Sequence, residues 1–235
     1  MRIQNLHAWN VSPREAIAIQ DRLRGQVRVQ GRLAEVRYIA GADVSWERAG
    51  GMGFAGVIVF EFPSLREVER VSCRGEATFP YVPGLLSFRE GPLLLEAFKR
   101  LETEPDLVFF DGQGIAHPRR FGIASHMGVL LAKPAIGCAK SRLVGAHRDP
   151  GPRRGSRAAL RDKGEVIGAV LRTRDEVRPV YVSVGHGLSL QEAVRLTLRC
   201  SDGCRIPRPT RLADHFVGEE RLRARLGRGK WIVDS

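Results

Sequence analysis

Residues 107–110 read LVFF, and this run ends on Asp111 before a glycine-rich segment that carries His117 and two arginines. Four consecutive large apolar residues bounded by turn-forming residues predict a buried strand. Open α/β sheets bind their ligands at the carboxyl ends of strands, which is where Asp111 would lie. We therefore expect a sheet that buries this strand, and a functional role for the carboxylate that follows it.

Helical and strand-like segments follow one another along the rest of the chain. Ser12, Pro13 and Glu15 have the N-cap, first-turn and capping-box pattern of a helix start. Three strand candidates that are close enough to pair as antiparallel neighbours come next, at 35–46, 53–62 and 67–76. Beyond them we expect a helix from Ser87, the strand at 107–111, a helix at 121–131, strands at 134–138, 164–172 and 178–186, and helices from Ser189 and Thr210.

This order predicts an α/β fold with a mixed central sheet, in which three antiparallel strands precede alternating helices and strands. We expect one domain over residues 1–235, with a basic C-terminal tail at 221–230 that either contacts phosphates or ends a helix in solvent. The segment 145–164 is basic and rich in Gly and Pro, and it predicts a mobile surface loop between strands.

The chain is strongly basic, with 38 Lys and Arg against 26 Asp and Glu and a formal net charge of +12. Such an excess favours an anionic partner, of which nucleic acid is the commonest, although a solvated arginine-rich surface would give the same count. No apolar run reaches the roughly 18 residues of a membrane span, and the first ten residues lack the apolar stretch of a signal peptide. We therefore expect a cytoplasmic protein without a membrane partner. We also expect it to be a monomer. The four cysteines do not form the two close pairs of a zinc site, so reduced structural thiols are expected.

Three carboxylates suggest a metal site. Asp43 lies inside the apolar run YIAGADVSW, where an unpaired charge would be costly, and Glu90 is expected in the first turn of the helix from Ser87. If the strands of Asp43 and Asp111 were neighbours and that helix packed across them, the oxygens could converge on Mg²⁺. Taken singly, each residue has an ordinary alternative, because aspartates are common in turns and a first-turn Glu complements the helix dipole.

Five blocks of the sequence carry a family resemblance. They are AGADVSW, PYVPGLLSFREGPLLLEAF, PDLVFFDGQGIAHPRRFGIASHMGVLLAKPAIGCAKSRLVG, PVYVSVGHGLSL and PRPTRLAD. In order and spacing, between about residues 12 and 216, the sequence resembles endonuclease V, the deoxyinosine 3′-endonuclease. The resemblance implies a ribonuclease H-like fold and dependence on Mg²⁺, with Mn²⁺ as an alternative. It also implies DNA containing deoxyinosine as substrate, cut at the second phosphodiester bond 3′ to the deaminated base to leave 3′-hydroxyl and 5′-phosphate.

The resemblance assigns the catalytic residues position by position. Asp43 and Asp111 match the two strand aspartates of the family and Glu90 matches its helix glutamate, and these three are the implied metal ligands. A fourth acidic member matches Asp214, although a shift of one residue would exchange it with His215. Lys140 matches a family lysine near the scissile phosphate. Without the resemblance, it would be interpreted as a solvated lysine at a strand end.

The resemblance also implies a device for reading an extruded base. Tyr81 lies between Pro80 and Pro83 in a segment that resembles the family's wedge, whereas the blander interpretation is a buried tyrosine in a Pro-bounded turn. The implied base pocket consists of Gly84, Leu86, Gly112, Gly114, His117, Gly122 and Ile123. We expect main-chain N–H groups around Gly112, Gly114 and His117 to donate to the 6-carbonyl of hypoxanthine.

Some residues depart from the family pattern or stay without a role. Trp46 stands where a smaller aromatic is frequent and Arg208 where an acidic residue is frequent, and neither is expected to touch the chemistry. His126, His147 and His186 are expected to be structural or at the surface. Two other functions remain open: cleavage of inosine-containing RNA, and binding of nucleic acid without catalysis, against which the acidic set argues.

Overall fold

The structure, a computed structural model, describes residues 1, 3–47 and 51–229. Its helices are α1 (Pro13–Leu23), α2 (Leu86–Lys99), α3 (Ile123–Leu131), α4 (Leu190–Arg199) and α5 (Arg208–Gly229), and a short 3₁₀ turn follows α1 at Arg24–Gln26. Its strands are β1 (Tyr38–Trp46), β2 (Met52–Glu61), β3 (Arg66–Glu76), β4 (Leu107–Phe110), β5 (Ala135–Ala139), β6 (Arg157–Asp162), β7 (Glu165–Leu171) and β8 (Val180–His186). Of the basic tail, Lys230 lies outside the described residues.

All eight strands belong to one mixed sheet in the order β3-β2-β1-β4-β5-β8-β7-β6. The first three strands pair as antiparallel neighbours, as expected. Strands β1, β4 and β5 run parallel in the middle, and β8, β7 and β6 complete the sheet with antiparallel pairs. The predicted α/β fold with a mixed central sheet is therefore confirmed.

Strand β4 is buried on both faces, which explains its four consecutive apolar residues. Val108 and Phe110 pack in the cluster that contains residues of α2 and α3, such as Phe98 and Met127. Leu107 and Phe109 point to the other face, in the cluster that contains residues of α4 and α5. Successive side chains of a strand alternate between faces, so a strand covered by helices on both sides needs large apolar residues at every position.

The expectation of a mobile surface loop at 145–164 was wrong for its second half. Arg157–Asp162 forms β6, the edge strand that pairs antiparallel with β7. Leu160 is 1% exposed and packs with Ile167 and Val170, whereas most of its neighbours in the strand face solvent. The strand was not predicted because its sequence is rich in charged residues and only Leu160 is a large apolar residue that faces inward. Such a composition is suited to the edge of a sheet.

The first half of that segment is tied to the sheet by the guanidinium of Arg172. It donates hydrogen bonds to the carbonyl oxygens of Pro150, Gly151 and Val177 at 3.0, 3.1 and 2.5 Å. These bonds hold an irregular stretch of backbone against the end of β7.

Two further expectations concern membranes and cysteines. Among the described residues, no helix combines the length and apolar character that crossing a bilayer requires. The four cysteines are free thiols, three of them buried.

Candidate active site

The aspartates of β1 and β4 meet at the carboxyl ends of two neighbouring parallel strands. Ala42 is paired with Phe110 across the β1–β4 ladder, so Asp43 and Asp111 follow at equivalent positions. The two strands are neighbours, which was the condition stated for a metal site at these aspartates. Parallel strands bring such residues to one edge of a sheet without any help from the loops.

A third aspartate reaches this edge from α5. One carboxylate oxygen of each of Asp43, Asp111 and Asp214 lies within 4.8 Å of the others. Helix α5 approaches closely because β1 has a glycine beneath it: a Cβ on Gly41 would lie 2.0 Å from the carbonyl oxygen of Pro209. Asp214, and not its neighbour, faces the site: its Oδ2 lies 2.7 Å from Nζ of Lys140, whereas Nε2 of His215 lies 3.2 Å from Glu219.

Glu90, the third residue of the expected metal set, does not belong to this tight group, but it lies close enough for the charges of Asp43 and Asp111 to act on it. Asp214 completes the group instead. Glu90 lies deeper, 8% exposed on α2, and accepts a hydrogen bond from the indole Nε1–H of Trp46 at 3.3 Å. Trp46 therefore touches the acidic site, contrary to expectation. Arg208 is engaged elsewhere, with Asp202.

The acidic residues repel one another in a poorly hydrated place. Burial, together with the neighbouring charge of Asp111, raises the pKa of Asp43 to about 7. Burial and the charge of Asp43 raise the pKa of Glu90 to about 8. Burial also raises the pKa of Asp111, although its hydrogen bond from Lys140 works in the other direction.

Such a set of carboxylates fits a hard divalent cation. Oxygen ligands from several carboxylates are what Mg²⁺, Mn²⁺ and Ca²⁺ prefer, and a bound cation would relieve the repulsion that raises these pKa values. Asp43, Asp111 and Asp214 would supply the nearest oxygens, with Glu90 beside them.

Lys140 directly follows β5 and lies between two of the aspartates. Its Nζ is 2.6 Å from Oδ2 of Asp111 and 2.7 Å from Oδ2 of Asp214. Burial disfavours the ammonium, but the hydrogen bonds to Asp111 and Asp214 outweigh it and raise the pKa of Lys140. The backbone at this position is held by Arg205, whose Nη2 donates to the carbonyl oxygen of Lys140 at 2.6 Å.

A pocket of about 360 Å³ adjoins the acidic group, and Asp111 and Lys140 line both. Six of the seven expected pocket residues contribute to its wall, namely Gly84, Leu86, Gly112, His117, Gly122 and Ile123. Gly114 does not. Its N–H donates to Oγ of Ser183 at 2.8 Å, and a Cβ on it would lie 2.0 Å from the carbonyl oxygen of Val184. Gly114 thus allows the loop after β4 to pack on β8, and its N–H is not free to meet a base.

The N–H of His117 is also unavailable, because it donates to the carbonyl oxygen of Ile115 at 2.7 Å. Of the three expected donors, this leaves Gly112. Burial and the charge of Arg119 lower the pKa of His117 to about 4, so its ring is neutral at physiological pH. The ring nitrogens are engaged as well: Nε2 donates to the carbonyl oxygen of Gly84 at 3.0 Å, and Nδ1 accepts from the N–H of Arg119 at 3.2 Å.

The carbonyl oxygen of Gly84, in the pocket wall, accepts hydrogen bonds from three side chains. Besides His117, it accepts from Nε2 of Gln20 at 3.0 Å and from Nη2 of Arg119 at 2.8 Å. Gln20 lies on α1, is 1% exposed and lines the pocket, yet nothing in its local sequence marked it. Only its place on the inner face of an amphipathic helix could have suggested burial.

Sequence reasoning also missed the wall formed by the last residue of β5 and the residues that follow it. Ala139, Ser141, Arg142 and Leu143 line the pocket there. Nε2 of Gln113 donates to the carbonyl oxygen of Ser141 at 3.0 Å and ties this wall to the loop after β4. His126 lies behind the pocket, where its Nδ1 is 2.8 Å from Oγ of Ser87, which also lines it.

Tyr81 projects from the rim of the pocket. It is 71% exposed, so the alternative of an ordinary buried tyrosine does not hold. The loop is anchored on either side by Phe79 and Leu85, which are both buried. A loop that is anchored at both ends and carries an exposed aromatic side chain at its tip can insert that side chain between stacked nucleobases.

A sequence profile of the endonuclease V family matches residues 21–215. Endonuclease V of Methanothrix thermoacetophila is 49% identical over 223 residues, which cover 95% of this chain and 98% of that protein.

Solved structures agree with the sequence match. The crystal structure of endonuclease V from Streptomyces avermitilis superposes with a TM-score of 0.88 at 40% identity, covering 95% of this chain and 99% of the other. Ciona intestinalis endonuclease V, solved with a 24mer DNA containing an inosine followed by a ribo-adenosine, gives a TM-score of 0.78 at 26% identity and covers 90% and 98%.

Proposed function

The chain belongs to the endonuclease V family and is a nuclease with a ribonuclease H-like fold, and we propose that it repairs DNA at deoxyinosine. In this proposal it hydrolyses the second phosphodiester bond 3′ to the deaminated adenine, with Mg²⁺ or Mn²⁺, and leaves 3′-hydroxyl and 5′-phosphate. The observation that carries the proposal is the continuity between the acidic group and a base-sized pocket, which share Asp111 and Lys140. The inosine-containing DNA bound by the Ciona intestinalis protein supports the choice of lesion.

The acidic residues would hold the cation and so set the place of hydrolysis. Asp43, Asp111 and Asp214 offer the clustered oxygens, and Glu90 lies next to them. When bound, a divalent cation supplies an activated water and neutralises the leaving 3′-oxygen. The scissile phosphate would approach the edge of this group at the ammonium of Lys140, which adds a positive charge beside the carboxylates.

The pocket would receive the extruded base. Hypoxanthine carries a 6-carbonyl where adenine carries an amine, so a donor such as the N–H of Gly112 favours hypoxanthine. With adenine, the N–H of Gly112 would face the donating 6-amine, and both donors would lose their hydrogen bonds to water without gaining a partner. Guanine keeps the carbonyl but adds a 2-amino group, which the apolar wall of Leu86 and Ile123 would exclude. Tyr81 would fill the gap that the extruded base leaves in the duplex.

Cleavage of defined oligonucleotides tests this function. Otherwise identical DNA duplexes with inosine, guanosine or adenosine at one position are incubated with and without Mg²⁺, and the products are mapped at single-nucleotide resolution. We expect Mg²⁺-dependent cutting one nucleotide beyond the inosine, well above guanosine and with adenosine lowest. Matched RNA strands belong in the same experiment, because phosphate chemistry is indifferent to the sugar while a contact to the 2′-hydroxyl is not. Equal cutting of adenosine and inosine strands would refute the base pocket.

A further inference from the structure

Glu90 depends on a single side-chain partner. It is 8% exposed, and the hydrogen bond from Nε1–H of Trp46, at 3.3 Å, is the one side-chain hydrogen bond that residues 1, 3–47 and 51–229 provide for its carboxylate. A buried carboxylate without a donor is costly, and the charges of Asp43 and Asp111 add to that cost. The indole is therefore the group that decides how the carboxylate of Glu90 is oriented.

The indole of Trp46 is itself held in place from several sides. Trp46 ends β1 opposite Gly53 of β2, where a Cβ would lie 2.6 Å from Cζ3 of the ring. The guanidinium of Arg89 lies 4.2 Å from the ring centroid, and its Nη1 donates to the carbonyl oxygen of Phe79 at 2.9 Å. Nη1 of Arg221 on α5 donates to the carbonyl oxygen of Trp46 at 3.1 Å. Packing and backbone contacts thus fix the direction in which the N–H points.

An indole N–H can only donate, so it favours the ionised carboxylate and occupies one oxygen of it. We propose that Trp46 is a positioning residue of the metal site, whose N–H holds Oε1 of Glu90 so that the other oxygen is offered to the cation. The inference rests on the proposed function, because it assumes that the acidic group binds a divalent cation. Partners of this kind orient a ligand and commonly change metal affinity about 10–100-fold when they are removed.

The test is Mg²⁺ binding to the DNA-free protein, measured by calorimetry. Trp46→Phe keeps an aromatic ring beside Gly53 and Arg89 but removes the donor, and we expect it to bind Mg²⁺ about tenfold more weakly. In a Glu90→Gln background, the same change should have no further effect, because the group on which Trp46 acts is already lost. Trp9→Phe is the matched control, since Trp9 packs against His7, Phe88 and His126 and gives Glu90 no hydrogen bond. It should bind Mg²⁺ like the wild type.

A second measurement needs no substitution in the measured protein. During a Mg²⁺ titration followed by ¹H–¹⁵N NMR, the indole resonance of Trp46 should shift and saturate with the calorimetric Kd, while that of Trp9 stays in place. The proposal is overturned if Trp46→Phe binds Mg²⁺ like the wild type, or if the Trp46 resonance does not move. It is also overturned if Trp46→Phe lowers the Mg²⁺ affinity by the same factor in the Glu90→Gln background as in the wild type. Cleavage of inosine DNA by the wild type, scored on the same preparations, separates a failure of the proposed function from a failure of this inference.

Discussion

Replacing Gly84 by Ala should destabilise the pocket wall by an amount that the structure allows us to divide into two parts. Gly84 has φ +78, in the left-handed region, where a side chain costs about 1–2 kcal/mol. The new Cβ would also lie 2.9 Å from Nη2 of Arg119, which now donates to the carbonyl oxygen of Gly84. Arg119 would have to move, and losing a hydrogen bond from a charged group costs about 1.5 kcal/mol at the lower end of the usual range. The expected loss is about 3 kcal/mol in the free energy of unfolding, or a fall in Tm of roughly 6–12 °C for a chain of this size.

Urea unfolding of three variants separates the two parts. Gly203 has φ +81 but nothing within 4 Å of the position that a Cβ would take, so Gly203→Ala should lose only the conformational part. Gly25 has neither a positive φ nor a close neighbour, and Gly25→Ala should stay within about 0.5 kcal/mol of the wild type. If Gly84→Ala costs no more than Gly203→Ala, then Arg119 does not brace the pocket through Gly84, and the description of that wall is wrong.

Two further predictions concern the rim and the acidic group. Tyr81→Ala should weaken binding of inosine DNA by about 1–3 kcal/mol, the scale of base stacking, and should affect duplexes more than single strands in a fluorescence titration; equal losses on both would show that Tyr81 does not separate strands. The pKa values of Asp43 and Glu90 are raised to about 7 and about 8, so the folded state holds protons that the unfolded state releases near pH 4. The free energy of unfolding of the metal-free protein should therefore decrease as the pH rises from about 4 to about 8. Asp43→Asn should flatten that fall in denaturation curves collected across the range, and an unchanged slope would contradict the assigned burial and repulsion.

The central strands and their carboxylates could be predicted from the sequence because the signal is local. Four apolar residues in a row and one aspartate after them describe both β4 and its place between two helical layers. The pairing of β4 with β1 was a condition of the predicted metal site, and the structure meets it with a parallel ladder that brings Asp43 beside Asp111.

The features that were missed depend on contacts between distant parts of the chain. Gln20 reaches the pocket from 64 residues before Gly84, and only the packing of α1 makes that contact. Strand β6 was hidden because a sheet edge needs one buried side chain, Leu160, and tolerates charges elsewhere. Trp46 resembled a harmless substitution because its N–H meets Glu90 only once β1 and α2 are packed.

Asp111 lines the pocket and belongs to the acidic group, so Asp111→Asn tests the link between base recognition and hydrolysis most directly. Single-turnover cleavage of an inosine-containing duplex with Mg²⁺ is measured together with binding of the same duplex, and Asp149→Asn, whose side chain is 82% exposed, serves as the control. We expect Asp111→Asn to abolish cleavage while its binding stays within about tenfold of the wild type, because the lost interaction acts mainly in the transition state. Cleavage by Asp111→Asn at a rate near that of the wild type would contradict the proposed mechanism.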